Sequence, residues 1–257
     1  MASPLNTKRT NMDDTAIWIR RWSPRPEARS RIFCFPWAGG SAVAFRRWSI
    51  AFPPEVEVCA VEYPGRGSRE QESALENVGL LSSAVEEAVA PLLDRPFAVV
   101  GFSLGALVAF EWLRALAATE GPAPVQFIPC ARRAPHLPQR LPILHVLPEE
   151  DLLEQLQQRF GAIPEVLLRE RELLAGFLVP LRADLAAVED YVHKAGKPFT
   201  CPVLAIGGRR DLDVNEAELE GWAEHTRGHF GVTLLDAGHF FADDPALRVA
   251  LLRAAKA

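Results

Sequence analysis

At residues 101–105 the chain reads Gly-Phe-Ser-Leu-Gly, preceded by the apolar run Phe97-Ala98-Val99-Val100 and followed by an apolar-periodic segment reaching residue 118. A buried strand that turns directly into a helix around a serine leaves few choices of fold. The serine at such a turn sits in a strained backbone conformation, and a side chain at either glycine position would meet the neighbouring strand or helix. The turn lifts the Ser103 hydroxyl clear of the sheet and aims a helix N-terminus at it, where unpaired N–H groups can hold an anion. Gly-x-Ser-x-Gly alone recurs by chance; between a buried strand and a helix it predicts a nucleophile.

The remaining segments supply the layers around that turn. Apolar stretches at 31–35, 56–61, 125–130, 202–206 and 232–235 predict strands, and 17–22 predicts an edge strand closed by Ser23-Pro24-Arg25-Pro26. Helices are expected over 44–52, 78–93 and 245–255. Strands alternating with helices imply an α/β fold, a mostly parallel central sheet with helices on both faces. A length of 257 residues with 49% hydrophobic content makes one such domain. Residues 1–15 are polar and aperiodic and are expected to be a disordered tail, which leaves 16–257 as the domain.

The alternation fails between residues 130 and 202, an interval too long for a simple crossover. It predicts helical segments at 149–160, 164–177 and 181–191, with Leu152, Leu153, Leu156 and Phe160 forming one apolar stripe. An insertion over about 132–198 is therefore expected to form a helical lid, with Leu152, Leu156 and Phe160 lining a cavity above Ser103.

A net charge of −5 leaves no footprint for nucleic acid. The four cysteines lie in or beside apolar runs without CxxC spacing, as small buried hydrophobes of a reducing compartment do. No signal-peptide core and no apolar run approaching 18 residues is present, so a cytoplasmic protein without a membrane partner is expected. His225 and His229 have the i,i+4 spacing of a helical metal pair, but Gly228 between them and the lack of an obvious third ligand argue against metal.

A serine hydroxyl at neutral pH needs a base. Where a serine sits on such a turn, the base follows the last strand and an acid follows the strand before it. His239, in Ala237-Gly238-His239-Phe240-Phe241, has that place. Asp211 and Asp213 both follow the penultimate strand; Asp211 comes earlier in the turn, while Asp213 also suits a helix N-cap. An oxyanion would take the backbone N–H of Leu104 and a second donor from the loop at 36–41, where Ala38 is preferred and Trp37 is the alternative.

Several stretches together carry a resemblance. They are Phe33-Cys34-Phe35-Pro36-Trp37-Ala38-Gly39-Gly40, Tyr63-Pro64-Gly65-Arg66, Gly101 to Gly105, Arg132-Arg133-Ala134-Pro135-His136, Leu181-Arg182-Ala183-Asp184, Gly207-Gly208-Arg209-Arg210-Asp211 and Gly238-His239-Phe240. From Arg31 to Phe241 the chain resembles the type II thioesterases, stand-alone editing enzymes of polyketide and non-ribosomal peptide synthesis with an α/β-hydrolase fold. The resemblance implies hydrolysis of acyl thioesters held on the phosphopantetheine arm of a carrier protein, with no further cofactor. It carries Ser103, Asp211 and His239 over as the catalytic triad. The family usually has histidine at positions 37 and 102; here Trp37 and Phe102 are expected to touch substrate instead. An acyl or peptidyl carrier protein is the expected partner, and a monomer the expected state. Arg132, Arg133 and Arg140 are expected to form a basic patch that steers an acidic carrier. Two other functions remain open on sequence: transfer of the acyl group to an amine, alcohol or second thiol, and non-catalytic binding.

Overall fold

In a computed structural model, described for residues 11–161 and 169–255, seven strands form one sheet in the order β1-β3-β2-β4-β5-β6-β7. They are β1 (Ile19–Arg20), β2 (Ser30–Phe35), β3 (Val56–Val61), β4 (Phe97–Phe102), β5 (Gln126–Cys130), β6 (Val203–Gly208) and β7 (Phe230–Leu235). Only β1 pairs antiparallel, with Ile19 opposite Val61 and Arg20 opposite Ala60. The three strands β2, β3 and β4 are buried at every position, as expected where helices cover both faces. On one face Phe33, Phe97 and Trp112 pack with the Val78–Val89 and Leu104–Ala118 helices. On the other, Phe45, Trp48, Phe102 and Phe241 pack with the Pro245–Ala254 helix.

The chain passes from β2 outward to β3, then returns to place β4 on the other side of β2. The loops leaving the carboxyl ends of β2 and β4 therefore diverge and open a crevice, the usual place for a ligand in such a sheet. Phe35 lies opposite Gly101 in the register, so the loop at 36–41 and Ser103 leave the sheet side by side.

The structure departs from expectation in three places. Residues 11–18 are a helix (Asn11–Trp18), so the expected tail is ordered over its last part and the edge strand shrinks to two residues. Tertiary contact holds that polar segment: the Thr15 hydroxyl donates to the Ala88 carbonyl at the end of the Val78–Val89 helix. Residues 1–10 lie outside the described part. The helix expected over 44–52 is two short pieces, a 3₁₀ turn (Ala42–Phe45) and one α turn (Trp48–Ala51). The segments expected at 164–177 and 181–191 belong, where described, to one helix, Arg171–Glu189, which runs through a buried Pro180; 162–168 lie outside the described residues. A proline removes only one helical hydrogen bond, and the apolar flank of Leu174, Leu178, Leu181 and Leu185 keeps the helix whole by packing. As Gly228 led one to expect, His225 and His229 share no helix, because the 3₁₀ turn Gly221–His225 ends at His225.

Between β5 and β6, the helix Glu149–Phe160 and the helix Arg171–Glu189 build an apolar cluster of their own from Leu144, Leu152, Leu156, Leu174, Leu178, Leu181 and Leu185. His145 Nδ1 meets Glu189 Oε2 at 2.6 Å, and the Leu144 and His145 N–H groups donate to the same carboxylate, which ties the start of this segment to its long helix. Cys34, Cys59, Cys130 and Cys201 are all free and buried. Among the described residues no helix is long and apolar enough to cross a membrane.

Candidate active site

Ser103 sits between β4 and the Leu104–Ala118 helix with φ 50° and ψ −110°, a positive-φ conformation that a non-glycine residue adopts at a cost of order 1–3 kcal/mol. Its two glycine neighbours make the turn sterically possible. A Cβ on Gly105 would lie 2.2 Å from the Phe35 carbonyl oxygen in β2, and one on Gly101 would lie 2.4 Å from the Gly105 oxygen. The Ser103 N–H donates to the Cys130 carbonyl at 2.9 Å, so the turn is also pinned to the neighbouring β5.

Asp211 follows β6 and His239 follows β7. His239 Nδ1 lies 2.8 Å from Asp211 Oδ2, and both side chains are almost wholly buried. The other carboxylate oxygen, Asp211 Oδ1, accepts the Asp213 N–H at 2.8 Å and the Val214 N–H at 3.3 Å. The carboxylate is thus held on one side by backbone and on the other by the imidazole. This assigns Nδ1 the proton and leaves Nε2 as the acceptor, the tautomer a general base requires. Asp213 does not reach His239 in this way; it lines the cavity instead.

Ser103 and His239 open into one cavity of about 480 Å³. Part of the wall is the loop after β2, from Trp37 to Ser41, and part comes from Leu156, Phe160, Phe177 and Leu181 of the segment between β5 and β6. The Phe160 ring stands 4.7 Å from the His239 ring, and Trp37 stands 5.3 Å from Phe240, so aromatic surface encloses the imidazole. Leu104 is the first residue of its helix and its N–H has no acceptor within that helix. Ala38 lines the cavity beside it, and neither N–H is committed to another backbone acceptor among the described residues.

The loop carrying Ala38 is clamped from below. Asp184, on the Arg171–Glu189 helix, accepts the Gly39 N–H at 2.7 Å and makes a two-point ion pair with Arg66. Arg66 also donates to the Gly40 and Pro64 carbonyls. Burial raises the Asp184 carboxyl above the ordinary range, against the pull of Arg66. Neither residue stands out in sequence as chemical; the Tyr-Pro-Gly-Arg and Leu-Arg-Ala-Asp stretches were visible only as parts of a resemblance.

The structure brings Trp37, Leu156 and Phe160 to the cavity but not Phe102 or Leu152. Phe102 is buried below the wall, 5.8 Å from Trp37 and 6.0 Å from Phe45, because alternate residues of β4 face opposite layers. Leu152 points into the apolar cluster of its own segment. The basic patch is also corrected. Arg132 and Arg133 are 5% and 4% exposed and line the cavity, since they leave the carboxyl end of β5 directly beside Ser103. Arg140 pairs with Glu218 at 3.1 Å and donates to the Asp213 carbonyl, so it is committed internally. No group of three or more candidate metal ligands gathers among the described residues.

Similarity to known proteins points to one family. A family model described as a thioesterase domain matches residues 30–256. The chain is 40% identical over 233 residues to the thioesterase PikA5 of Streptomyces venezuelae, covering 90% of this chain and 82% of that protein. It is 38% identical over 224 residues to the gramicidin S biosynthesis protein GrsT of Aneurinibacillus migulanus, covering 87% of each. Among solved structures it is similar to the type II thioesterase BorB of the borrelidin biosynthetic cluster, with a TM-score of 0.82, 30% identity and coverage of 93% and 97%.

Proposed function

The chain belongs to the thioesterase family, and from that premise we propose that it is a stand-alone type II thioesterase, which hydrolyses acyl groups from the phosphopantetheine arms of carrier proteins in polyketide or non-ribosomal peptide synthesis. The observation that carries this reading is His239, held by Asp211, opening with Ser103 into one largely apolar cavity. Ser103 Oγ attacks the thioester carbonyl while His239 Nε2 takes its proton, and the imidazolium is held by Asp211. The oxyanion is received by the Leu104 and Ala38 N–H groups. His239 then gives the proton to the leaving thiolate, and a water activated by the same imidazole releases the acid. The helices Glu149–Phe160 and Arg171–Glu189 act as the lid that shields the acyl-enzyme. A long flexible arm threads such a roofed site, so the carrier protein is the expected partner.

The test is intact-mass analysis of carrier proteins loaded with varied acyl groups. Loss of the acyl mass with release of free acid, requiring only water and abolished by Ser103→Ala, is expected. Product that forms only with an added amine, alcohol or thiol acceptor would assign an acyltransferase instead, and failure of Ser103 to label with a fluorophosphonate would remove catalysis altogether.

A further inference from the structure

Arg132 and Arg133 are consecutive, buried and cationic, and they line the same cavity as Ser103. Among the described residues the Arg132 guanidinium makes no hydrogen bond or ion pair, and its Nε is fully buried without a partner. Arg133 donates to the neutral side chain of Gln139 and reaches no carboxylate. Nearby acids are turned elsewhere. Glu218 is taken by Arg140 and by the Asn215 N–H, while Asp213 lines the cavity without an ion pair to either arginine. Burial lowers the pKa of both guanidiniums, that of Arg132 to about 10; Arg133 adds to the fall at Arg132 and Arg140 adds to it at Arg133, while the charges of Asp213 and Glu218 act the other way without an ion pair to either. Two adjacent buried cations that no carboxylate contacts directly are costly for a fold to keep, and such a charge in a cleft marks a place that a ligand completes.

We propose that Arg132 and Arg133 form an anion subsite beside the nucleophile, which receives a carboxylate carried on the acyl group itself, so that carboxyacyl thioesters, the monothioesters of dicarboxylic acids, are a substrate class of this enzyme. The proposal rests on the thioesterase reading above. A planar guanidinium binds a carboxylate by two parallel N–H···O bonds, and a low-dielectric wall strengthens them. The phosphate of a phosphopantetheine arm is the other anion a substrate brings. It lies at the far end of the arm, against the carrier's surface, whereas Arg132 and Arg133 are residues 5% and 4% exposed that line the cavity holding Ser103. The acyl end of the substrate is the part that enters so far.

The experiment compares succinyl and butyryl thioesters, which differ in the terminal carboxylate, on the same carrier protein and on pantetheine lacking the phosphate. The native enzyme is expected to hydrolyse the succinyl thioester at least as well as the butyryl one, with added salt depressing only the succinyl reaction appreciably. Arg132→Gln is expected to lower the succinyl-to-butyryl ratio of kcat/KM about tenfold or more, mainly through KM, on both scaffolds, with Arg132→Lys losing less. Rejection of succinyl by the native enzyme, which needs no variant to fold, overturns the proposal. So does an unchanged ratio in Arg132→Gln and Arg133→Gln, or a loss confined to phosphate-bearing substrates whatever the acyl group, which would hand the arginines to the arm. Absence of hydrolysis of either thioester by native enzyme would instead defeat the thioesterase reading.

Discussion

Asp184 and Arg66, distant in sequence, form a buried two-point ion pair whose carboxylate also holds the Gly39 N–H, one residue after the proposed oxyanion donor Ala38. The pair joins the turn after β3 to the Arg171–Glu189 helix through the loop after β2. Neither side chain lines the cavity, so both act by positioning.

Asp184→Asn is therefore expected to lower kcat about 10- to 100-fold with little change in KM, since an oxyanion donor acts mainly on the transition state. Removing one partner of a buried pair also costs about 3–5 kcal/mol. Replacing both, as in Arg66→Met with Asp184→Leu, should recover part of the melting temperature but not the kcat. Recovery of kcat in the double variant would show that the pair serves stability alone.

Ser103→Ala and His239→Ala should each abolish most hydrolysis, and the double variant should be little worse than either, because members of a catalytic unit are not additive. Steady-state rates on one carrier thioester check this. A double variant far below both singles would separate the two residues.

Asp211 holds His239 while Asp213 contributes its backbone N–H to Asp211. Asp211→Asn should lower kcat by up to about 10⁴-fold, the size of the loss when the orienting carboxylate of such a triad is neutralised. Asp213→Asn keeps that backbone donor and should cost far less. The reverse ranking would transfer the role.

At Gly105 an added Cβ would lie 2.2 Å from the Phe35 carbonyl oxygen, a backbone atom that cannot swing aside. Gly105→Ala is expected to destabilise the fold by more than about 3 kcal/mol or to yield insoluble protein. Urea denaturation reads it; a variant within about 0.5 kcal/mol of the native protein would mean that β2 shifts freely.

His225 donates to or accepts from His136 at 2.8 Å and packs on Phe110 at 5.0 Å, with His193 beside it. Burial, reinforced by His136 and His193, lowers it from 6.5 to about 4. A folded state that binds this proton more weakly than the unfolded chain keeps its full contribution above about 6.5 and loses it as pH falls toward about 4. The imidazole is partly open to solvent, so the loss should be on the order of 1–2 kcal/mol. Urea midpoints across that window should fall less steeply in His225→Gln, and equal slopes would exclude His225 as the source.

What the sequence determined by itself was local. Gly101-Phe102-Ser103-Leu104-Gly105 between an apolar run and an amphipathic segment is enough to place a strained serine at a strand–helix turn, since the clash and the φ angle are settled within a few residues and their immediate neighbours. The succession of strands along the chain followed from hydrophobic period and turn spacing, whereas the roles of Asp211 and His239 rested on the chain order that goes with such a serine turn and on the resemblance. What only the tertiary structure decided were distances between segments far apart in the chain. Charge and hydropathy patterns cannot tell that Arg132 and Arg133 turn inward where Arg140 finds Glu218, because a run of arginines reads alike on a surface or against a cavity. The resemblance points Phe102, and its apolar stripe points Leu152, to the substrate, yet side-chain alternation along β4 buries Phe102 and the packing of Leu144, Leu156 and Leu178 buries Leu152. Asn11–Trp18 became helix for the same reason in reverse: a segment with no pattern of its own takes its conformation from the helix it packs against.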